Sequence, residues 1–213
     1  MRPLRIFKLV SIADSLSILN ALLGLSAITY IFLYSFDYRA FQLLIYASII
    51  DGIDGTLARK TEKSPIGKEL DSLADSISFG LLPALALISY EKTLFPFSSL
   101  LLAFSILRLA RFNIESFKDF YGLPTVPNAL FLCGLILMEF NAYLIAAVSI
   151  LTSLLMISDI VYPRVGKFSL IAAVILLLVA FFEKLLPVLV LSIAAYILYP
   201  PVRLIYGRCK SSV

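Results

Sequence analysis

The sequence predicts an all-α, polytopic integral membrane bundle of about eight transmembrane helices, with both termini in the cytoplasm. Three observations predict it. Of 213 residues, 61% are apolar and only 15% are charged, whereas a soluble domain carries about a quarter charged residues. Apolar runs near the length that crosses a bilayer, about 20 residues, recur along the whole chain. The basic residues collect in every second connection between those runs.

The runs can be taken in order. Residues 1–13 place Arg2, Arg5 and Lys8 among Leu4, Ile6, Phe7, Leu9 and Val10, the pattern of a short amphipathic helix lying on a membrane surface. The first span is expected over Asp14 to Phe36, with Asp14 as its cap; Ser17, Asn20, Gly24 and Ser26 suit close helix contacts. Spans from Tyr38 to Arg59, Ile66 to Tyr90 and Leu94 to Asn113 follow. Two prolines and a glycine in IESFKDFYGLPTVPN break the helical pattern, and Pro124 and Pro127 shape the start of the next span. That short fifth span covers Val126 to Glu139 and the sixth covers Tyr143 to Ser158. The seventh and eighth are expected over 168–182 and 186–206, separated by Glu183 and Lys184. One membrane domain thus fills 1–213, with helices 14–115 carrying the chemistry and 126–206 completing the bundle. No cleavable signal peptide is expected, because no small-residue cleavage site precedes the first run.

Orientation follows from the basic residues. With the N-terminus in the cytoplasm, fifteen of the eighteen Lys and Arg fall on the cytoplasmic side, leaving Arg39, Lys92 and Lys184 outside. The chain has no histidine, which excludes histidine acid–base chemistry and histidine metal ligands. Cys133 and Cys209 fall at different depths, so no disulfide is expected.

The stretch 51–75, DGIDGTLARKTEKSPIGKELDSLAD, sets Asp51, Asp54, Asp71 and Asp75 at the edge of apolar segments. An ionised side chain at membrane depth costs about 3 kcal/mol on insertion scales. Four of them require a neutralising partner, and a divalent metal is the simplest. Asp51, Asp54, Gly55 and Ala58 share a helix face by their spacing, as do Gly67, Asp71 and Asp75. Two antiparallel helices would bring the faces together as a carboxylate cluster suited to hard cations. Two metals there could clamp the oxygens flanking a phosphorus, with Arg59 placed to hold a phosphate.

The pattern Asp51-x-x-Asp54-Gly55-x-x-Ala58-Arg59, then Gly67-x-x-x-Asp71-x-x-x-Asp75, resembles the signature of the CDP-alcohol phosphotransferases. Seven residues separate Arg59 from Gly67 where that family has eight, a one-residue difference in a loop. Residues 71–80 with Pro83-Ala84, and Arg108-Leu109-Ala110-Arg111-Phe112-Asn113 with Tyr121-Gly122-Leu123-Pro124, resemble the phosphatidylserine synthase branch, of which an archaetidylserine synthase is one form. The resemblance covers residues 14–128. It implies an enzyme that transfers a phosphatidyl-type group from a CDP-linked lipid to L-serine and releases CMP. It implies metal binding by Asp51, Asp54, Asp71 and Asp75, with Asp75 also the general base. Gly55, Ala58, Arg59 and Gly67 would contact the CDP moiety, and Arg108, Arg111 and Asn113 would take the serine carboxylate. The implied cofactor is a pair of Mg²⁺ or Mn²⁺ ions. The implied partners are the bilayer and a second copy of the chain, with no nucleic acid and an active site facing the cytoplasm from the cell membrane.

Other readings stand beside these. Four aspartates also suit a divalent-cation transporter, although a cation pathway has no need of Gly55, Ala58 and Arg59 at fixed offsets. Prenyl-chain enzymes hold magnesium with differently spaced aspartates. Within the resembled family, the acceptor could be glycerol phosphate or inositol phosphate, which would want a denser cationic pocket. Arg108 and Arg111 also suit snorkelling anchors, and Lys60 and Lys63 a loop drawn to anionic lipid. Asn20 and Gly24 suit either helix packing or a place near the nucleotide.

Overall fold

The first helix begins where the sequence offers its free amides an acceptor. Ser11 Oγ accepts from the Asp14 amide at 3.1 Å and Asp14 Oδ2 accepts from the Ser11 amide at 2.7 Å. This reciprocal cap opens α1, Ile12–Tyr34. The computed structural model describes residues 9–57, 64–114, 120–163, 171, 175–176, 178–179 and 181–210. Asp37 starts α2, Tyr38–Leu57, by accepting from the amides of Arg39 and Ala40 at 2.8 and 3.3 Å. The third crossing comprises α3, Gly67–Asp75, a π-helical turn at Ser76–Leu81, and α4, Leu82–Tyr90. A 3₁₀ turn at Lys92–Leu94 leads into α5, Phe95–Ile114. Then come α6, Thr125–Leu137, α7, Ala142–Ile157, and α8, Leu186–Lys210.

Packing follows small residues and hydrogen bonds, as expected where lipid offers apolar faces no incentive to leave it. The buried stripe of α1 is Asp14, Ser17, Asn20, Gly24, Ala27 and Ile31, while Leu22, Leu25 and Phe32 point outward. That stripe meets both α2 and α3. Gly24 lies so close to Ser78 that a Cβ would sit 2.9 Å from the Ser78 Cα. A Cβ on Gly134 of α6 would come within 2.5 Å of Val190 on α8. Phe41, Leu44, Phe79, Leu82, Leu101 and Leu132 belong to one continuous core that joins the early helices to the late ones.

Several expectations meet the structure here. Every expected span with described residues throughout begins and ends within about two residues of its helix, apart from the extended α8. Five helical segments are long and apolar enough to cross a membrane: Ile12–Tyr34, Tyr38–Leu57, Gly67–Tyr90, Lys92–Ile114 and Glu183–Leu204. The expected fifth and sixth spans are α6 and α7, of 13 and 16 residues. At 1.5 Å per residue they reach about 20 and 24 Å, short of the roughly 30 Å hydrocarbon thickness. Most of the expected seventh span lies outside the described residues, as do residues 1–8 of the amphipathic segment. Among the described residues, five of the eight expected crossings are helices long enough to span, and two are shorter apolar helices.

Two features were not among the expectations from the sequence. The π turn arises because Pro83 has no amide to give, and the Leu82 amide reaches the Ile77 carbonyl five residues back. The proline-rich connection also has order: β1, Phe120–Tyr121, pairs antiparallel with β2, Val161–Tyr162. Gly122 follows with φ +78°, a conformation that favours glycine, packed under Met156 and Arg111. Tyr162 is buried beside it and donates to the Ile197 carbonyl of α8 at 3.2 Å.

Replacing Gly24 with Leu should lower stability by about 1–3 kcal/mol, as overpacking a tight contact does. Gly52→Ala, where nothing lies within 4 Å of the new Cβ, should not. Thermal unfolding of the detergent-purified protein distinguishes the two.

Candidate metal and nucleotide centre

The carboxylates converge at one end of the bundle, where α2 finishes and α3 begins. Asp51 and Asp54, three apart on α2, present their oxygens to Asp71 on α3. One oxygen from each of the three lies within 4.8 Å of the others. Asp75 sits one turn along α3 from Asp71, is only 8% exposed and lies within electrostatic reach of Asp51. These donors are hard oxygens grouped at a spacing that a divalent cation bridges, and the trio can hold one. The expected four-carboxylate set is thus a trio with the fourth member behind it.

Residues around the cluster orient it. Ser17 Oγ donates to Asp54 Oδ2 at 2.8 Å, and Asn20 Nδ2 donates to Asp75 Oδ1 at 3.2 Å. Arg108 of α5, 7% exposed, stands within electrostatic reach of Asp51, Asp71 and Asp75 and donates from Nη1 to Thr125 Oγ1 at 3.2 Å. The Phe112 ring carries Arg108 on one contact, 5.9 Å from its centroid, and Lys68 on another at 5.8 Å. Asn113 Oδ1 accepts from Ser72 Oγ at 3.0 Å, which ties the end of α5 to the residue after Asp71.

The glycines of the motif divide into two kinds. Nothing lies within 4 Å of a Cβ built on Gly55 or on Gly52. Glycine in a helix interior costs roughly 1 kcal/mol relative to alanine. At Gly55 no contact among the described residues explains that cost. Gly67 differs, since its Cβ would meet Asp14 Oδ1 at 2.9 Å, so its smallness also lets α3 approach α1. Asp14 has the capping role expected of it. Ala58 and Arg59, expected at the nucleotide, lie outside the described residues, as do Lys60 and Lys63.

The two arginines of the expected serine pocket are not brought together. Arg108 faces the carboxylates. Arg111 turns to the C-terminal end of α7, donating to the carbonyls of Ile157 and Ser158 at 3.3 and 2.9 Å and pairing with Asp159 at 3.3 Å. They stand about 60° apart around α5, and their long side chains extend to different neighbours, Thr125 and the end of α7. Sequence reasoning gave Ser17 no partner, left Asn20 between packing and the nucleotide, and assigned Thr125 nothing. A buried asparagine or serine in an apolar run was the available signal; its partner lay on another helix.

Residues 10–200 match the family profile described as CDP-alcohol phosphatidyltransferase. A CDP-diacylglycerol–serine O-phosphatidyltransferase from Methanocaldococcus jannaschii is 41% identical over 161 residues, covering 74% of this chain and 76% of that protein. The archaetidylserine synthase of Methanothermobacter thermautotrophicus is 38% identical over 178 residues, covering 78% of this chain and 75% of its own. A CDP-diacylglycerol–serine O-phosphatidyltransferase from Helicobacter pylori is 32% identical, with 99% of this chain and 95% of that one covered.

Arg111→Ala should lower the unfolding temperature by several degrees, since the end of α7 loses donors worth about 1 kcal/mol each. Asp159→Ala should leave it unchanged, because that carboxylate is 95% exposed and its pairing is with solvent as much as with Arg111.

Proposed function

The chain belongs to the CDP-alcohol phosphatidyltransferase family, and from that premise we propose that it transfers a phosphatidyl-type group from a CDP-activated lipid to L-serine, releasing CMP. The observation that carries this reading is the convergence of Asp51, Asp54 and Asp71 from two helices within 4.8 Å. The relatives named as serine phosphatidyltransferases support serine as acceptor. Neither the family nor the relatives support a cation transporter.

Asp51, Asp54, Asp71 and Asp75 would hold Mg²⁺ or Mn²⁺, as a pair by the family resemblance. Bound there, the ions would supply charge stabilisation to the phosphoryl oxygens. Gly55 would receive the nucleotide together with Ala58, Arg59 and Gly67, the contacts that the family resemblance implies. The serine hydroxyl attacks the lipid-linked phosphorus, and its proton passes to Asp75. A new oxygen–phosphorus bond forms while the bond to CMP breaks, and CMP leaves with the electron pair. Arg108, already buried beside the carboxylates, is the residue we assign to the serine carboxylate, with Asn113 at the edge of the same pocket. Arg111 is engaged at the end of α7. Burial of Arg108 costs desolvation, which the surrounding carboxylates offset before substrate arrives.

The positive-inside distribution supports an active site on the cytoplasmic face and cytoplasmic termini. Assembly as a homodimer belongs to the same reading and rests on the family resemblance alone.

Purified protein given CDP-lipid and serine should release CMP only with divalent metal. Asp75→Asn should reduce that release by about 10²–10⁴-fold, the range for removing a general base, without lowering the unfolding temperature. Arg108→Lys should raise the KM for serine more than that for the CDP-lipid, whereas Arg111→Ala should not separate the two. CMP release with glycerol phosphate and none with serine would overturn the acceptor assignment.

A further inference from the structure

The helix that contributes none of the motif carboxylates touches both helices that do. Along α1, Ser17 and Asn20 are three apart on the buried stripe, 4% and 0% exposed. Each gives one hydrogen bond to one carboxylate: Ser17 to Asp54 on α2, Asn20 to Asp75 on the third crossing. Asn20 is held at two points. Its side chain reaches Asp75, and its carbonyl accepts from Ser78 Oγ at 2.9 Å, three residues further along the same crossing. The close approach of Gly24 to Ser78 fixes the register of α1 in which both contacts form.

A packing role alone does not account for these residue types. Leucine would fill the Asn20 position with no polar group to satisfy. Asn20 Oδ1 is instead buried with no hydrogen-bond partner among the described residues. Leaving an acceptor unsatisfied at membrane depth is unfavourable. What the asparagine gains in exchange is its amide donation to Asp75. Ser17 contributes in the same way, directing one oxygen of Asp54.

We propose that Ser17 and Asn20 are positioning residues, by which α1 orients Asp54 and Asp75 for the divalent cations. This rests on the metal-binding reading given above. It adds that the geometry of the cation site is set from a helix outside the motif. Donors behind metal ligands typically change metal affinity or activity by about 10–100-fold when removed.

The test uses the purified full chain and Mn²⁺, with binding read from loss of the free-ion EPR signal and kcat and KM measured beside it. Ser17→Ala and Asn20→Leu should each weaken Mn²⁺ binding or lower kcat by about 10–100-fold, with the KM for CDP-lipid little changed. Ser17→Thr, which keeps the hydroxyl, should recover most of the loss. Ser26→Ala, an exposed position whose hydroxyl donates within its own helix to the Leu22 carbonyl, should behave as wild type. Ser17→Ala is small enough to keep the fold should Asn20→Leu not. Wild-type Mn²⁺ affinity and kcat in both variants, with only the unfolding temperature lowered, would overturn the inference. Absence of Mn²⁺ binding by the wild type would overturn the metal reading itself, and this inference with it.

Discussion

Negative charge buried beside lipid governs this bundle. Asp51, Asp54, Asp71 and Asp75 occupy one end of the helices, and among the described residues Arg108 is the cation set within the group. One guanidinium does not balance four carboxylates, and the low dielectric magnifies the imbalance. The cluster can hold a cation, and the helices around it orient its oxygens. The hydroxyl of Ser17, the amide of Asn20 and the guanidinium of Arg108 all direct positive ends inward.

That arrangement needs helices nearer to one another than ordinary side chains permit. Gly24 at Ser78 and Gly67 at Asp14 are the places where α1 and the third crossing come together. In lipid such contacts do what a hydrophobic core does in water, because dispersion and hydrogen bonds are the attractions left. Gly52 and Gly55 stand apart from this set, with no described residue within 4 Å of a Cβ built on either.

Much of this was legible in the sequence for a simple reason. Runs of apolar residues mark spans directly, and offsets of three and four on α2 and α3 are short enough to fix which side chains share a face. The convergence of Asp51, Asp54 and Asp71 needed only the further assumption that consecutive helices pack antiparallel. Contacts between distant segments were not legible in this way. Arg108 and Arg111 looked equivalent along the chain, yet Thr125 lies beside one and the end of α7 beside the other. Asn20 and Asp75 are 55 residues apart, and no local pattern links them. The pairing of β1 with β2 was hidden for the same reason, in a stretch whose prolines read only as interruption.

The wide turn at Ser76–Leu81 has a bearing on how this chain can be compared with others. A π turn holds one residue more than the α-helix it interrupts, and each residue advances the helix by about 100°. Facial patterns established from Gly67 to Asp75 thus lose their phase before Leu82. The acidic half and the lipid-spanning half of that crossing therefore present differently phased faces. A single inserted or deleted amino acid between Ser76 and Leu81 would redirect Pro83, Ala86 and Leu87 towards different neighbours while leaving Asp71 and Asp75 where they stand.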